Sequence, residues 1–166
     1  MQNVTLAPAS ENDIPELRKL ALATWEPTYK NILSREQLLF MQEEIYNPAS
    51  LAKQMQNGQH FYFIKQGEDS VGFLSLTLIN PTEQRFKLNK LYLLPEMQGK
   101  GCGKIALNLA SETVWKQGGK VLELNVNKYN PAKQFYERCG FTVIREEDIP
   151  IGEYWMNDFV MEKELT

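Results

Sequence analysis

The residues with the clearest chemical potential lie in Gln98-Gly99-Lys100-Gly101-Cys102-Gly103-Lys104. Closely spaced glycines permit positive φ and let a ligand approach the main chain. Where such a loop opens a helix, the first free N–H groups and the helix dipole favour a bound anion. Lys100 and Lys104 add positive charge beside it. The chemistry is phosphate binding, and three readings of the loop compete. A P-loop would have Gly103-Lys104 in place, yet Gln98 stands at its first glycine and Ile105 at its hydroxyl. Gly101 to Ala106 fits a dinucleotide fingerprint, with Glu123 near the position of a ribose-binding acid. That fingerprint follows its strand directly, whereas Pro95 to Lys100 intervene here. An ordinary glycine-containing turn is the third reading. Cys102 reads as a small, half-buried packing residue rather than a nucleophile.

The elements that must hold this loop follow from apolar spacing. Val4-Thr5-Leu6 reads as a short first strand, and Ser10 with Asp13 as a helix start. Leu17, Leu20, Ala21 and Trp25 recur at helical spacing. Ser34 and Gln37 form a second capping pattern, with Leu38, Leu39 and Met41 as the apolar face behind it. A third helix follows Asn47-Pro48 and ends at Asn57-Gly58. His60 to Lys65, Val71 to Ile79 and Arg85 to Leu94 are expected strands, joined by tight connections as an antiparallel meander. Pro95 stops the last of them. A helix is expected from about Lys104 to Lys116, ended by Gly118-Gly119. Val121 to Val126 is a strand, so a helical crossover makes it parallel to its neighbour. Asn130-Pro131 opens another helix, with Asn as cap and Pro in the first turn. Phe141 to Ile144 and Tyr154 to Met161 form a closing hairpin. Glu146, Glu147, Asp148 and Glu153 read as a solvated loop or an acidic rim.

The 166 residues fit one domain, 1–166, and 43% hydrophobic content supports a core. A net charge of −3 argues against nucleic acid as the main partner. No secretory signal and no membrane-length apolar run is visible, and the two cysteines lack paired spacing, so the cytoplasm is the expected location. His60 is the single histidine and receives no role; no metal site is expected.

Gln98-x-x-Gly-x-Gly after the apolar strand Leu91-Tyr92-Leu93-Leu94 resembles the signature of the GNAT acyltransferase superfamily. A second segment is similar to it as well: Leu122 to Val126, then Asn130, Phe135-Tyr136 and Gly140-Phe141. The resemblance implies an α/β (α+β) three-layer fold. Its central sheet is mixed and mostly antiparallel, with a splayed parallel strand pair and helices on both faces. It implies acetyl-CoA as co-substrate, with no metal, and an N-acetyltransferase acting on a primary amine by direct attack. The acceptor would be polyamine-like or a peptide, since Trp155 to Leu165 is broadly similar to bacterial spermidine/spermine acetyltransferases. It further implies that the main chain of Leu91, Tyr92 and Leu93 meets the pantetheine arm. Gln98, Gly99, Lys100, Gly101, Cys102, Gly103 and Lys104 would wrap the pyrophosphate, and Asn130 would make a second coenzyme contact. Tyr136 takes the position of the family's general acid. Trp25, Tyr29, Asn89, Asn125 and Asn127 are the expected acceptor-side residues. A monomer or homodimer is expected.

One departure stands out. Many relatives carry Glu where this chain has Asn89 or Asn125. An alkylamine, with a reference pKa of about 10.4, must lose a proton before attack. Desolvation of the amine, or a water chain to Glu123 or another acid, would answer this. A non-catalytic acyl-CoA-binding module is the alternative.

Overall fold

The computed structural model describes residues 3–166. Seven strands form one sheet: β1 (Val4–Pro8), β2 (His60–Gln66), β3 (Asp69–Asn80), β4 (Arg85–Leu93), β5 (Val121–Asn127), β6 (Thr142–Ile151) and β7 (Tyr154–Glu164). Their spatial order is β1-β2-β3-β4-β5-β7-β6. Every neighbouring pair is antiparallel except β4–β5. Among the described residues, five α-helices complete the fold: α1 (Ile14–Tyr29), α2 (Arg35–Tyr46), α3 (Pro48–Gln56), α4 (Cys102–Lys116) and α5 (Ala132–Arg138).

Each sheet face has its own core, because successive strand residues point to opposite sides. Against α4 and α5 pack Leu74, Leu88, Leu122, Leu124 and Met161, with Ala106, Leu107, Ala110 and Val114 from α4. Against α1, α2 and α3 pack Phe61, Phe63, Phe73 and Met156, with Leu17, Trp25, Met41, Tyr46 and Leu51 from the helices. This is the expected three-layer α/β arrangement.

Several expected boundaries move. The helix after the glycine loop starts at Cys102, two residues early, with Gly101 at φ +84° as its cap. Ser34 does cap α2 through the Gln37 N–H, but Leu39 is exposed, so only Leu38 and Met41 face inward. The closing hairpin is longer than its apolar residues indicate. Glu146, Glu147 and Asp148 lie inside β6, not in a loop. Charged residues suit that strand because it forms the sheet edge. The hairpin turns at Gly152, φ +62°, where a Cβ would lie 2.5 Å from the Phe40 ring of α2.

Candidate active site

The two parallel strands separate. Pairing of β4 with β5 runs from Arg85–Val121 to Leu88–Leu124 and ends there. The cause is visible in β4. Its pairing to β3 jumps from Leu76–Leu88 to Ser75–Lys90, leaving Asn89 as a bulged residue. A bulge bends its strand and breaks the ladder locally. Beyond it, Lys90 to Leu93 keep β3 on one side and lose β5 on the other. Asn89 and Asn125 are therefore the first residue on each prong of a fork.

A cleft of about 690 Å³ opens there. Residues 88–93 form one wall, and Leu124, Asn125 and Val126 the opposite one. At one end it meets Gln98, Gly99, Gly101, Gly103 and Lys104 of the glycine loop, with Asn130 across from them. At the other it meets Pro27, Thr28 and Tyr29, at the end of α1.

The loop is built for close main-chain approach. Gly99 and Gly101 hold φ +76° and +84°, values that cost an L-residue with a Cβ. The first bond of α4 runs from the Ile105 N–H to the Gly101 carbonyl. The Gly103 and Lys104 N–H groups precede that ladder and remain for a ligand. The Gln98 side chain reaches back to the Leu93 carbonyl at 3.3 Å, tying loop to strand. The Asn130 Oδ1 accepts from the Ala132 N–H at 2.9 Å and starts α5. Lys100 is exposed and does not line the cleft. Cys102 is wholly buried in the core rather than half-buried, and does not line it either.

Tyr136 lines the cleft from α5. Its ring packs edge-on against Phe135 and Phe141. Among the described residues, none hydrogen-bonds its hydroxyl. Burial pushes the phenol well above its ordinary pKa, and Tyr92 and Cys139 push the same way. It is therefore a protonated donor through the neutral range.

On the α1 side, Tyr29 reaches the cleft and shares a hydrogen bond with Tyr92, hydroxyl to hydroxyl, at 3.0 Å. Trp25 does not reach it. Trp25 is buried one turn earlier and donates its indole N–H to the Tyr46 hydroxyl at 2.9 Å. Asn127 is also buried away from the cleft, where its Oδ1 accepts from the Tyr129 N–H. Asn89 contributes to the wall, but its Oδ1 accepts from the Thr77 hydroxyl at 2.7 Å. Glu123 is engaged elsewhere. Its carboxylate is held by Arg85 at 3.1 Å and Arg145 at 3.6 Å, and it does not border the cleft.

Two residues that sequence reading passed over stand beside the site. Asp158 of β7 is buried and accepts from the Asn125 Nδ2 at 3.2 Å. Burial raises its pKa, partly offset by Asn125 and Lys87. Lys90 donates to Gln54 Oε1 at 2.7 Å and Gln59 Oε1 at 2.6 Å. Burial, then repulsion from Lys87, lowers its pKa to about 7.

A family model described as the acetyltransferase (GNAT) domain matches residues 29–165. The chain belongs to the GNAT acetyltransferase family. This GNAT chain is 27% identical to an uncharacterised N-acetyltransferase of Lactobacillus delbrueckii subsp. lactis over the full length of both proteins. It is 28% identical to the spermidine N(1)-acetyltransferase of Thermoplasma acidophilum, over 97% of each chain. The crystal structure of the PaiA N-acetyltransferase of T. acidophilum in complex with coenzyme A superposes with a TM-score of 0.80 at 28% identity, covering 98% of this chain and 99% of that one. A GCN5-related N-acetyltransferase from Rhodopseudomonas palustris shares the fold, with a TM-score of 0.81 at 19% identity over 97% and 95% of the two chains. The fork, the glycine loop and the crossover helix are thus the frame of a GNAT domain.

Proposed function

We propose that this chain transfers the acetyl group of acetyl-CoA to a primary amine by direct attack. The observation that carries the reading is the fork. It places unpaired strand edge, glycine loop and a protonated phenol around one cleft. Acetyl-CoA enters from the loop end. The Gly103 and Lys104 N–H groups receive its pyrophosphate, aided by the Lys104 charge, and Asn130 lies across from them. The pantetheine arm lies along Leu91, Tyr92 and Leu93, taking the place that β5 vacates. A main-chain N–H of that edge polarises the thioester carbonyl.

The amine enters from the Tyr29 end. It sheds one proton, and its nitrogen forms the C–N bond as the C–S bond breaks. The electron pair leaves on sulfur, and Tyr136 supplies the proton that makes the thiol. The first proton goes to solvent; the nitrogen, cationic once bonded to carbon, then loses a second proton, which restores the phenol and leaves a neutral amide. A polyamine is the first acceptor to test, because the Thermoplasma relative is named a spermidine N(1)-acetyltransferase. Free-thiol release from acetyl-CoA with spermidine, aminoglycosides, amino acids and short peptides tests the reading. Acceptor-dependent release supports it. Coenzyme binding without release on any amine would favour a non-catalytic binding module.

A further inference from the structure

Two buried carboxylates sit on the same sheet face, the one turned toward α1 to α3, and their surroundings differ. Glu123 of β5 has two guanidinium partners, Arg85 and Arg145. Asp158, across the β5–β7 ladder and opposite Asn127, has none. Only 6% of Asp158 is exposed, and no lysine or arginine lies within ion-pair distance among the described residues. A buried charge without a counter-charge is costly. A cation bound nearby would offset that cost.

The Asn125–Asp158 contact sets the direction. A carboxylate only accepts, so the Asn125 amide must turn its Nδ2 toward Asp158 Oδ2. Its Oδ1 is thereby turned elsewhere. That Oδ1 and Asp158 Oδ1 are both buried and both lack a partner. Buried acceptors of this kind are rare in native proteins. Asn125 lines the cleft and is the first residue of β5 past its last pairing with β4.

We infer that Asn125 and Asp158 form the recognition site for a protonated amine, which rests on the reading of the cleft as an acetyl-transfer site. The ammonium donates to Asn125 Oδ1 at the cleft wall. Asp158 is a positioning residue behind it. It locks the amide orientation and supplies the negative charge that balances the ligand. The class selected is a cationic alkylamine rather than an alcohol or a weakly basic, uncharged amine. Facing Asp158 are Lys87 from β4 and Glu147 and Asp148 from β6, with the Tyr29 and Tyr92 phenols nearby. The neighbouring acids reinforce attraction for a cation.

The test is calorimetric binding of spermidine to the coenzyme A complex, which does not depend on turnover. Wild type is expected to bind. Asp158→Asn keeps the size but allows either amide face toward Asn125, and should weaken binding by roughly tenfold to a hundredfold. Asp158→Glu should retain more affinity than Asp158→Asn. Coenzyme A affinity should stay at the wild-type value in both. Asn125→Leu removes the acceptor together with the amide's bond to Asp158, and serves if Asp158→Asn fails to fold. Unchanged spermidine affinity in the variants, or no binding to wild type, would overturn the inference. Binding lost in the variants, with no acetyl transfer by wild type, would leave this site standing and remove the transferase reading instead.

Discussion

The Tyr29 and Tyr92 hydroxyls meet at 3.0 Å, joining the last residue of α1 to the splayed half of β4. Both rings pack with Trp25, and Tyr92 also packs on Phe73. Removing one hydroxyl leaves the other without its partner inside an aromatic cluster. Tyr29→Phe and Tyr92→Phe should each cost about 1–2 kcal/mol, whereas the double variant should cost little more than either single one. Urea denaturation of the four proteins measures this. Additive losses would mean that the two hydroxyls do not depend on each other.

The glycines of the loop should divide into two kinds. At Gly101 there is room for a Cβ, but φ is +84°, so Gly101→Ala should lose about 1 kcal/mol of stability. At Gly103 the backbone is helical, and a Cβ would meet Phe135 and Leu93 at ordinary distances of 3.5 and 3.6 Å. Gly103→Ala should therefore fold as well as the parent, or better, since alanine favours the helix. Its coenzyme affinity should nevertheless fall, because the methyl group occupies the approach to the loop. Thermal melting and calorimetry on the same samples separate the two effects.

Tyr136→Phe should reduce turnover by roughly a hundredfold to ten-thousandfold while coenzyme binding persists. The phenol is raised by burial, so it does not ionise in the working range. The wild-type rate should therefore show no descending limb from Tyr136 between about pH 7 and 9. A limb there that vanishes in Tyr136→Phe would contradict the assignment.

Lys90 makes stability depend on pH in an unusual direction. Its folded pKa is about 7, below the unfolded value, so burial of its charge opposes folding at low pH. As pH rises above that value the folded chain releases the proton while the unfolded chain keeps it. Stability should rise between about pH 7 and 10 on this account. Lys90→Met should flatten that rise, as read from urea midpoints at a series of pH values.

Asp158 carries the opposite sign. Its folded pKa is raised, so the folded chain holds the proton more tightly than the unfolded one. Stability should increase as pH falls through the folded pKa toward the unfolded one. At neutral pH, Asp158→Asn should melt higher than the parent, and the gap should close toward about pH 4. A lower melting point for the variant at every pH would mean that the charge serves the fold.

Much of the site was legible because it is local. The glycine loop, the strand before it and Phe135-Tyr136 each announce themselves within a dozen residues. The acceptor side was not local. Asp158 matters because β7 lies beside β5, which brings it to a residue 33 positions earlier, and because no arginine is near it. Glu123 looked just as suitable in the sequence, and only the folded arrangement shows two guanidinium groups already holding it. Three acids in a row at Glu146 to Asp148 looked like a loop because an edge strand has little apolar pattern to reveal it.

The unpaired Asn89 has a consequence for how this strand can change in length. Leu88 and Leu91 both pack on the α4 side although three positions separate them, while Lys90 and Tyr92 turn to the other face. Deleting Asn89 would leave Leu88, Lys90, Leu91 and Tyr92 in plain alternation, each on the face it already occupies. Tyr92 would stay with Tyr29 and Lys90 with its two glutamines, but the bend would go and the fork would close into an unbroken ladder. Residue types along this stretch can drift; its count of residues cannot.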